Sequence, residues 1–213
     1  GRMPPITVIP TCADLDRFRP TDHPKDGLVV GYVGSAGTWY LFNATVACFA
    51  ALLRLRPDAR ILIVNRNEHA YIRERLVAGG IPESAVELRS AKPEEVPSLM
   101  ARMHCTVFFI KSVFSKQASA PTKLAEFLGC GIPCLVNTGV GDMAEIVSNE
   151  CVGVAVDQFD TESLDQGVRR LFALLDDPEV AARCVDAARR HFSLDEGVLR
   201  YATTYARIED KMP

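Results

Sequence analysis

The stretch APTKLAEFLGCGIPCLV, residues 120–136, decides the fold class of this chain. It begins with Pro121, which suits the first helical position. Leu124, Phe127 and Leu128 then recur at i, i+3 and i+4, the spacing of one buried helical face. Gly131 and Pro133 stop the helix, and Cys134, Leu135 and Val136 open an apolar run. A helix that feeds a fully apolar strand is the second half of a crossover between parallel strands. Two charged residues stand in this apolar setting, Lys123 and Glu126, one turn apart.

The same alternation runs outward in both directions. Residues 27–34 (GLVVGYVG), 59–64 (ARILIV), 85–88 (AVEL) and 105–110 (CTVFFI) read as short buried strands. Amphipathic stretches at 44–56, 68–80 and 92–103 read as the helices between them. Downstream, 133–137 and 151–156 are strands and 141–148 is a helix. Near-continuous apolar strands separated by helices need both sheet faces covered. The pattern predicts an α/β fold: a doubly wound, Rossmann-like parallel sheet of about six strands over residues 27–192, with extra C-terminal helices. Ligands of such sheets sit outside the carboxyl ends of the strands. The loops after Val33, Val64, Leu88, Ile110 and Val136 therefore gather round one crevice.

Beyond residue 160 only helices are read. They span 161–175, opening on a Thr161 cap, then 177–192 with Asp177 as N-cap and Pro178 at the first helical position, then 193–211 with a glycine inside. Residues 1–26 are proline-rich and polar, with a short apolar strand signal at 6–9, and read as an entry linker.

A net charge of −3 supplies no general attraction for nucleic acid or anionic lipid. The seven cysteines are odd in number; Cys130 and Cys134 are spaced C-x3-C, but no second pair at zinc-site spacing follows. Several lie in apolar runs, which points to reduced, buried thiols and a cytoplasmic setting. The histidines at 23, 69, 104 and 191 have no metal spacing, so no metal is expected. Residues 1–10 lack the pattern of a signal peptide. No apolar run reaches the ~18 residues of a membrane span.

Two segments carry the candidate chemistry. GYVGSAG, residues 31–37, follows a strand and precedes a helix, the setting of a phosphate site. Its glycines are spaced G-x-x-G-x-x-G, and the second strand ends in VNRN with no acid for a ribose, which argues against NAD. Either this is a flexible turn, or Gly34 and Ser35 are small so that a diphosphate or sugar can approach the backbone. Trp39 and Tyr40 are read as core aromatics. The second segment is the helix start at Pro121, Thr122 and Lys123, whose free amides favour an anion. Lys123 adds a point charge there, and Lys116 reaches in from the preceding loop. Glu126 either pairs with Lys123 as an ordinary helix ion pair or accepts hydrogen bonds from a ribose diol.

At these residues a family resemblance becomes specific. PTKLAEFLGCGIPCLVNTGVGDMAEIV (121–147) resembles the nucleotide-sugar segment of group-1 glycosyltransferases of the GT-B fold. VIPTCADLDRF (8–18) resembles their interdomain linker, VVGYVGSAGTWY (29–40) their first C-terminal-domain strand and loop, and FSLDEGVLRYATTY (192–205) their closing helices. The segments fall in the right order along nearly the whole chain.

The resemblance implies the C-terminal, donor-binding half of a retaining glycosyltransferase, acting in polysaccharide biosynthesis. Such an enzyme moves a sugar from a nucleoside-diphosphate sugar to a glycan, lipid or other acceptor. No cofactor or metal is implied. The implied partners are the nucleotide-sugar and an N-terminal acceptor-binding domain of the same protein, toward which residues 193–213 would pack. Peripheral membrane association would run through that other half, and this chain alone is expected to transfer no sugar. The second glutamate of the family's E-x7-E pair falls on Glu126, the implied ribose contact, while the first falls on Ala118. The family's basic residue after V-G falls on Ser35, and its Asn-Gly linker turn on Thr11 and Cys12. Lys123, with Lys116, is the candidate substitute for the missing charge, and Lys123 the candidate catalytic residue. The base would lie near Arg89, Ser90 and Ala91. Two other readings stay open: a non-enzymatic nucleotide-binding module, and a nucleotide-sugar epimerase of the same architecture.

Overall fold

A computed structural model describes residues 6–21 and 27–209. Six parallel strands form one sheet: β1 (Val29–Val33), β2 (Arg60–Val64), β3 (Val86–Arg89), β4 (Cys105–Val107), β5 (Cys134–Asn137) and β6 (Gly153–Val156). Their order is β3-β2-β1-β4-β5-β6. The chain walks outward from β1 to β3, returns, and walks outward again from β4 to β6, so the direction reverses between β1 and β4. This is the doubly wound order with its ligand crevice at the β1/β4 carboxyl ends.

The apolar runs become strands because both sheet faces are covered. β4 and β5 are wholly buried, as is all of β1 and β2 beyond the first residue. Edge strand β3 is only half-buried and carries Glu87, which receives both guanidinium nitrogens of Arg102. A charged edge discourages pairing with another sheet. Helices α1 (Phe42–Leu55), α2 (His69–Ala78), α3 (Val96–Met100), α4 (Thr122–Gly129) and α5 (Met143–Asn149) make the crossovers. Then α6 (Thr161–Leu175) packs on α1, and α7 (Val180–Phe192) packs on α4. Phe49, Leu52, Ile61, Ile63, Phe108 and Phe127 are fully buried between these layers. Burying each such side chain contributes ~1.5–3 kcal/mol before chain entropy is counted.

Several boundaries differ from the sequence reading. The helix expected over 92–103 shrinks to α3, because Pro97 sits beside its first residue and the preceding segment turns instead. β4 stops at Val107, since residues 39–41 take over pairing with residues 109–111 through Leu41 N–H, Lys111 N–H and the Tyr40–Ile110 bridge. Asp160, not Thr161, caps α6 and accepts from Ser163 N–H at 3.0 Å. Asp177 and Pro178 precede α7 rather than open it; Asp177 accepts from Glu179 N–H one turn early. No strand forms at residues 6–9, where Ile6 and Val8 are exposed.

The entry segment is instead tied to the last helix, α8 (Leu194–Glu209). Ala13 bridges Ser193, its N–H donates to Phe192 O, and Gly197 lies so close to Cys12 that a Cβ there would collide with the thiol. The glycine inside α8 makes room for this crossing. No disulfide links any of the seven cysteines, and five of them are buried. Among the described residues no helix is long and apolar enough to cross a membrane. Linker residues 1–5 and 22–26, and residues 210–213, lie outside the described residues.

Candidate functional site

At the sheet's direction change, the loop after β1 faces the start of α4. Gly34 takes φ +109°, a conformation open mainly to glycine, and its N–H donates to Val64 O. A Cβ on Gly34 would stand 2.9 Å from Lys123 Nζ. The missing side chain is therefore what admits the lysine.

Lys123 is only 8% exposed, and its ammonium nitrogen hydrogen-bonds to nothing. It lies over three rings: Tyr40 at 3.9 Å, Tyr32 at 4.8 Å and Phe108 at 5.5 Å from their centres. Ring faces attract a cation but provide no hydrogen bond. Burial pushes the Lys123 amine down to about 7, while the charges of Glu126 and Glu68 pull it upward. A buried polar nitrogen without a partner is costly.

Glu126 stands one turn on, half-buried. Burial raises its carboxyl, and Lys123 and Arg17 pull it back down. The helix ion pair is not formed, since Lys123 Nζ has no hydrogen-bond partner. Arg17, unremarked in the sequence, comes from the entry segment and anchors itself on Pro93 O.

Pro121 does not occupy the first helical position. It is the N-cap with ψ 116°, and Thr122 is the first helical residue. No side chain caps α4, so its leading amides stay open to an anion. Thr122 is exposed there. Lys116 lies in a short 3-10 turn, its Nζ 4.6 Å from the Trp39 ring centre. Trp39 is 46% exposed, so the expectation of a core aromatic fails for it. Residues 39–41 are pinned to the β4 side of the crevice mouth by their bonds to residues 109–111.

Within residues 31–37, three positions do not offer their backbone to a ligand. Gly31 lies inside β1, where a Cβ would collide with Met103. The Ala36 and Gly37 amides are already taken: each donates at 2.8 Å to the Glu68 carboxylate. Ser35 is exposed, and its carbonyl receives the Tyr32 hydroxyl at 2.5 Å. Ser90 is exposed at the end of β3, with its hydroxyl 3.5 Å from Arg66 O and 3.4 Å from His69 Nε2. It stands on the β3 side, apart from the Lys123 cluster. Arg89 pairs with Glu87 at 3.5 Å.

On the other flank, Asn137 ends β5 and is buried. It accepts from Ile110 N–H at 2.8 Å and donates to Ile110 O at 2.9 Å. This side chain copies a strand's hydrogen bonds where β4 has ended, and so aims the 110–119 loop at the crevice. Neither Glu68 nor Asn137 was singled out in the sequence. The strand order β2-β1 sets the loop after Val64 against the β1 loop, a placement of Glu68 that only the fold reveals. Among the described residues no group of three or more His, Cys, Asp or Glu is placed to hold a metal.

The family model described as glycosyl transferases group 1 matches residues 15–191. The chain belongs to this family. Among solved structures it is similar to sucrose-phosphate synthase from Thermosynechococcus elongatus, with TM-score 0.74 and 15% identity over 96% of this chain and 53% of that one. It is similar to Anabaena HepE in complex with UDP and glucose, with TM-score 0.70 and 16% identity over 94% of this chain and 56% of that one. It also resembles the C-terminal domain of a group 1 family glycosyl transferase, LpcC, from Francisella tularensis, with TM-score 0.63 and 13% identity. That match covers 85% of this chain and 99% of the other. The chain thus spans about half the length of the first two structures. The curated proteins contain no match to it.

Proposed function

We propose that this chain is the donor-binding half of a retaining glycosyltransferase that uses a nucleoside-diphosphate sugar. The observation that carries the reading is Lys123: a buried amine without a hydrogen-bond partner, at the β1/β4 direction change, beside the uncapped start of α4. A diphosphate seated there would receive the α4 amides and recharge the amine. As the sugar–phosphate bond breaks, negative charge grows on the leaving diphosphate, and fixed donors in a dry setting stabilise it well. Glu126, half-buried beside them, accepts the ribose hydroxyls. Gly34 and Ser35 border the diphosphate, Pro121 and Thr122 present the helix start, and Lys116 supplies further charge at the rim. Ser90 stands toward the base.

The solved HepE structure holds UDP and glucose, which supports a nucleotide-sugar as ligand class here. Acceptor binding belongs in this proposal to an N-terminal half of the same protein. Its contact surface on this chain includes α8, where Leu194, Val198, Tyr201, Tyr205 and Ile208 form an exposed apolar stripe. A calorimetric screen of UDP-, GDP-, ADP- and CMP-sugars against this chain tests the reading. Binding of one of them is expected, and product analysis with the full-length enzyme then separates transfer from epimerisation. Failure of every sugar nucleotide to bind contradicts the donor role.

A further inference from the structure

The loop that looks built for phosphate already holds an anion. Glu68 begins the approach to α2, and its two carboxylate oxygens accept from Ala36 N–H and Gly37 N–H, each at 2.8 Å. The buried Asn65 side chain secures the arrangement. It donates to Glu68 Oε2 and to Gly34 O, both at 2.9 Å, and accepts from Glu68 N–H at 2.6 Å. A Cβ on Gly37 would stand 2.8 Å from Glu68 Oε1, so the small residue serves the carboxylate. Partial burial raises the carboxyl, but the hydrogen bonds from Ala36, Asn65, Ser35 and Gly37 outweigh it and hold it below its ordinary range, ionised at neutral pH.

We propose that Glu68 is a positioning residue of the donor pocket. It fixes the 34–37 loop by occupying two of its amides, and through that loop it sets the place and the charge of Lys123. The diphosphate is thereby kept off the Ala36 and Gly37 amides and directed onto Lys123 and the α4 start. This assignment rests on the donor reading for its consequence, but the brace itself does not. The geometric link is Gly34, held by Asn65 on one side and, on the other, leaving room for the lysine amine, which would stand 2.9 Å from a Cβ there. The electrostatic link is the field of Glu68 at Lys123, which acts beside that of Glu126 from α4. The remaining groups around the amine are Tyr32 from β1, Tyr40 from the segment before α1, and Phe108 beyond β4. A carboxylate with two amide bonds cannot be copied by an amide, since glutamine supplies one oxygen and places an N–H against the other donor.

The test is nuclear magnetic resonance on this chain, with Lys123 observed at its 13Cε and Ala36 and Gly37 at their amides. In Glu68→Gln the Lys123 titration midpoint should fall by ~0.5 pH unit or more, because an attracting charge is gone. Amide exchange at Ala36 and Gly37 should accelerate about tenfold or more. A purely structural brace would change exchange and leave the midpoint in place. An unchanged midpoint in a folded Glu68→Gln protein overturns the proposal. If that variant does not fold, acid titration of the wild type decides. The Ala36 and Gly37 amide shifts should then follow the Glu68 carboxyl, and amides that ignore it overturn the proposal. Sugar-nucleotide affinity, where the wild type binds one, should drop about tenfold in the variant. A wild type that binds none counts against the donor reading, while the Lys123 midpoint still judges Glu68.

Discussion

Lys123 Nζ lies 3.9 Å from the centre of the Tyr40 ring and donates a hydrogen bond to no atom. An amine in that position is destabilised when charged and empty, and satisfied when an anion arrives. Its pH behaviour follows from the burial. The amine is held at about 7 against 10.5 for an ordinary lysine. Between those values the unfolded chain binds more protons than the native one, so native stability rises with pH across the window. Below about pH 7 the charged form is buried and the full penalty is present, on the order of a few kcal/mol. Lys123→Met keeps the apolar stem without the charge. Urea denaturation from about pH 6 to pH 9 should show the variant's advantage over the wild type greatest at the acid end and shrinking upward. A difference independent of pH would contradict a buried, depressed amine.

Glu126→Gln keeps the shape and removes the charge. Hydrogen bonds to a charged acceptor contribute ~1.5–3 kcal/mol, so nucleotide affinity should fall about 10- to 100-fold. The loss should nearly vanish with a 2′,3′-dideoxy nucleotide, measured in the same calorimeter. Equal losses for both ligands would place Glu126 away from the ribose.

Asn137→Ala should destabilise the fold by ~2 kcal/mol or more, since it strips partners from the N–H and the carbonyl of Ile110. Hydrogen exchange across residues 110–119 should rise before the rest of the sheet opens. Denaturant midpoints and exchange on one variant check both.

Trp39 is the single tryptophan of the chain and stands half-exposed with Lys116 over its ring. Ligand entry near Lys116 should therefore change its fluorescence, in step with the calorimetric titration. Lys116→Ala should alter the starting emission and move stability by no more than ~1 kcal/mol.

Much of the fold was legible because buried parallel strands cannot hide their composition. β1, β2 and β5 were apolar runs of ordinary length, and α6 ran from Thr161 to Leu175 as its periodicity demanded. What was lost depended on neighbours distant in sequence. The early end of β4 follows from residues 39–41 closing over it, and no local pattern announces that. Lys123 was legible as a residue near the helix start, but its cage of Tyr32, Tyr40 and Phe108 comes from three separate segments. Glu68 looked like an ordinary polar residue at a helix entrance. Only the pairing of Val33 with Val64 in adjacent strands carries it to the Gly37 amide.

Calorimetry of wild type and Lys123→Met with the tightest-binding sugar nucleotide, at neutral pH, reaches the heart of this account. A charge-assisted contact of ~1.5–3 kcal/mol predicts an affinity at least about tenfold weaker in the methionine variant. Equal affinities in two folded proteins would mean that the caged amine never meets the diphosphate.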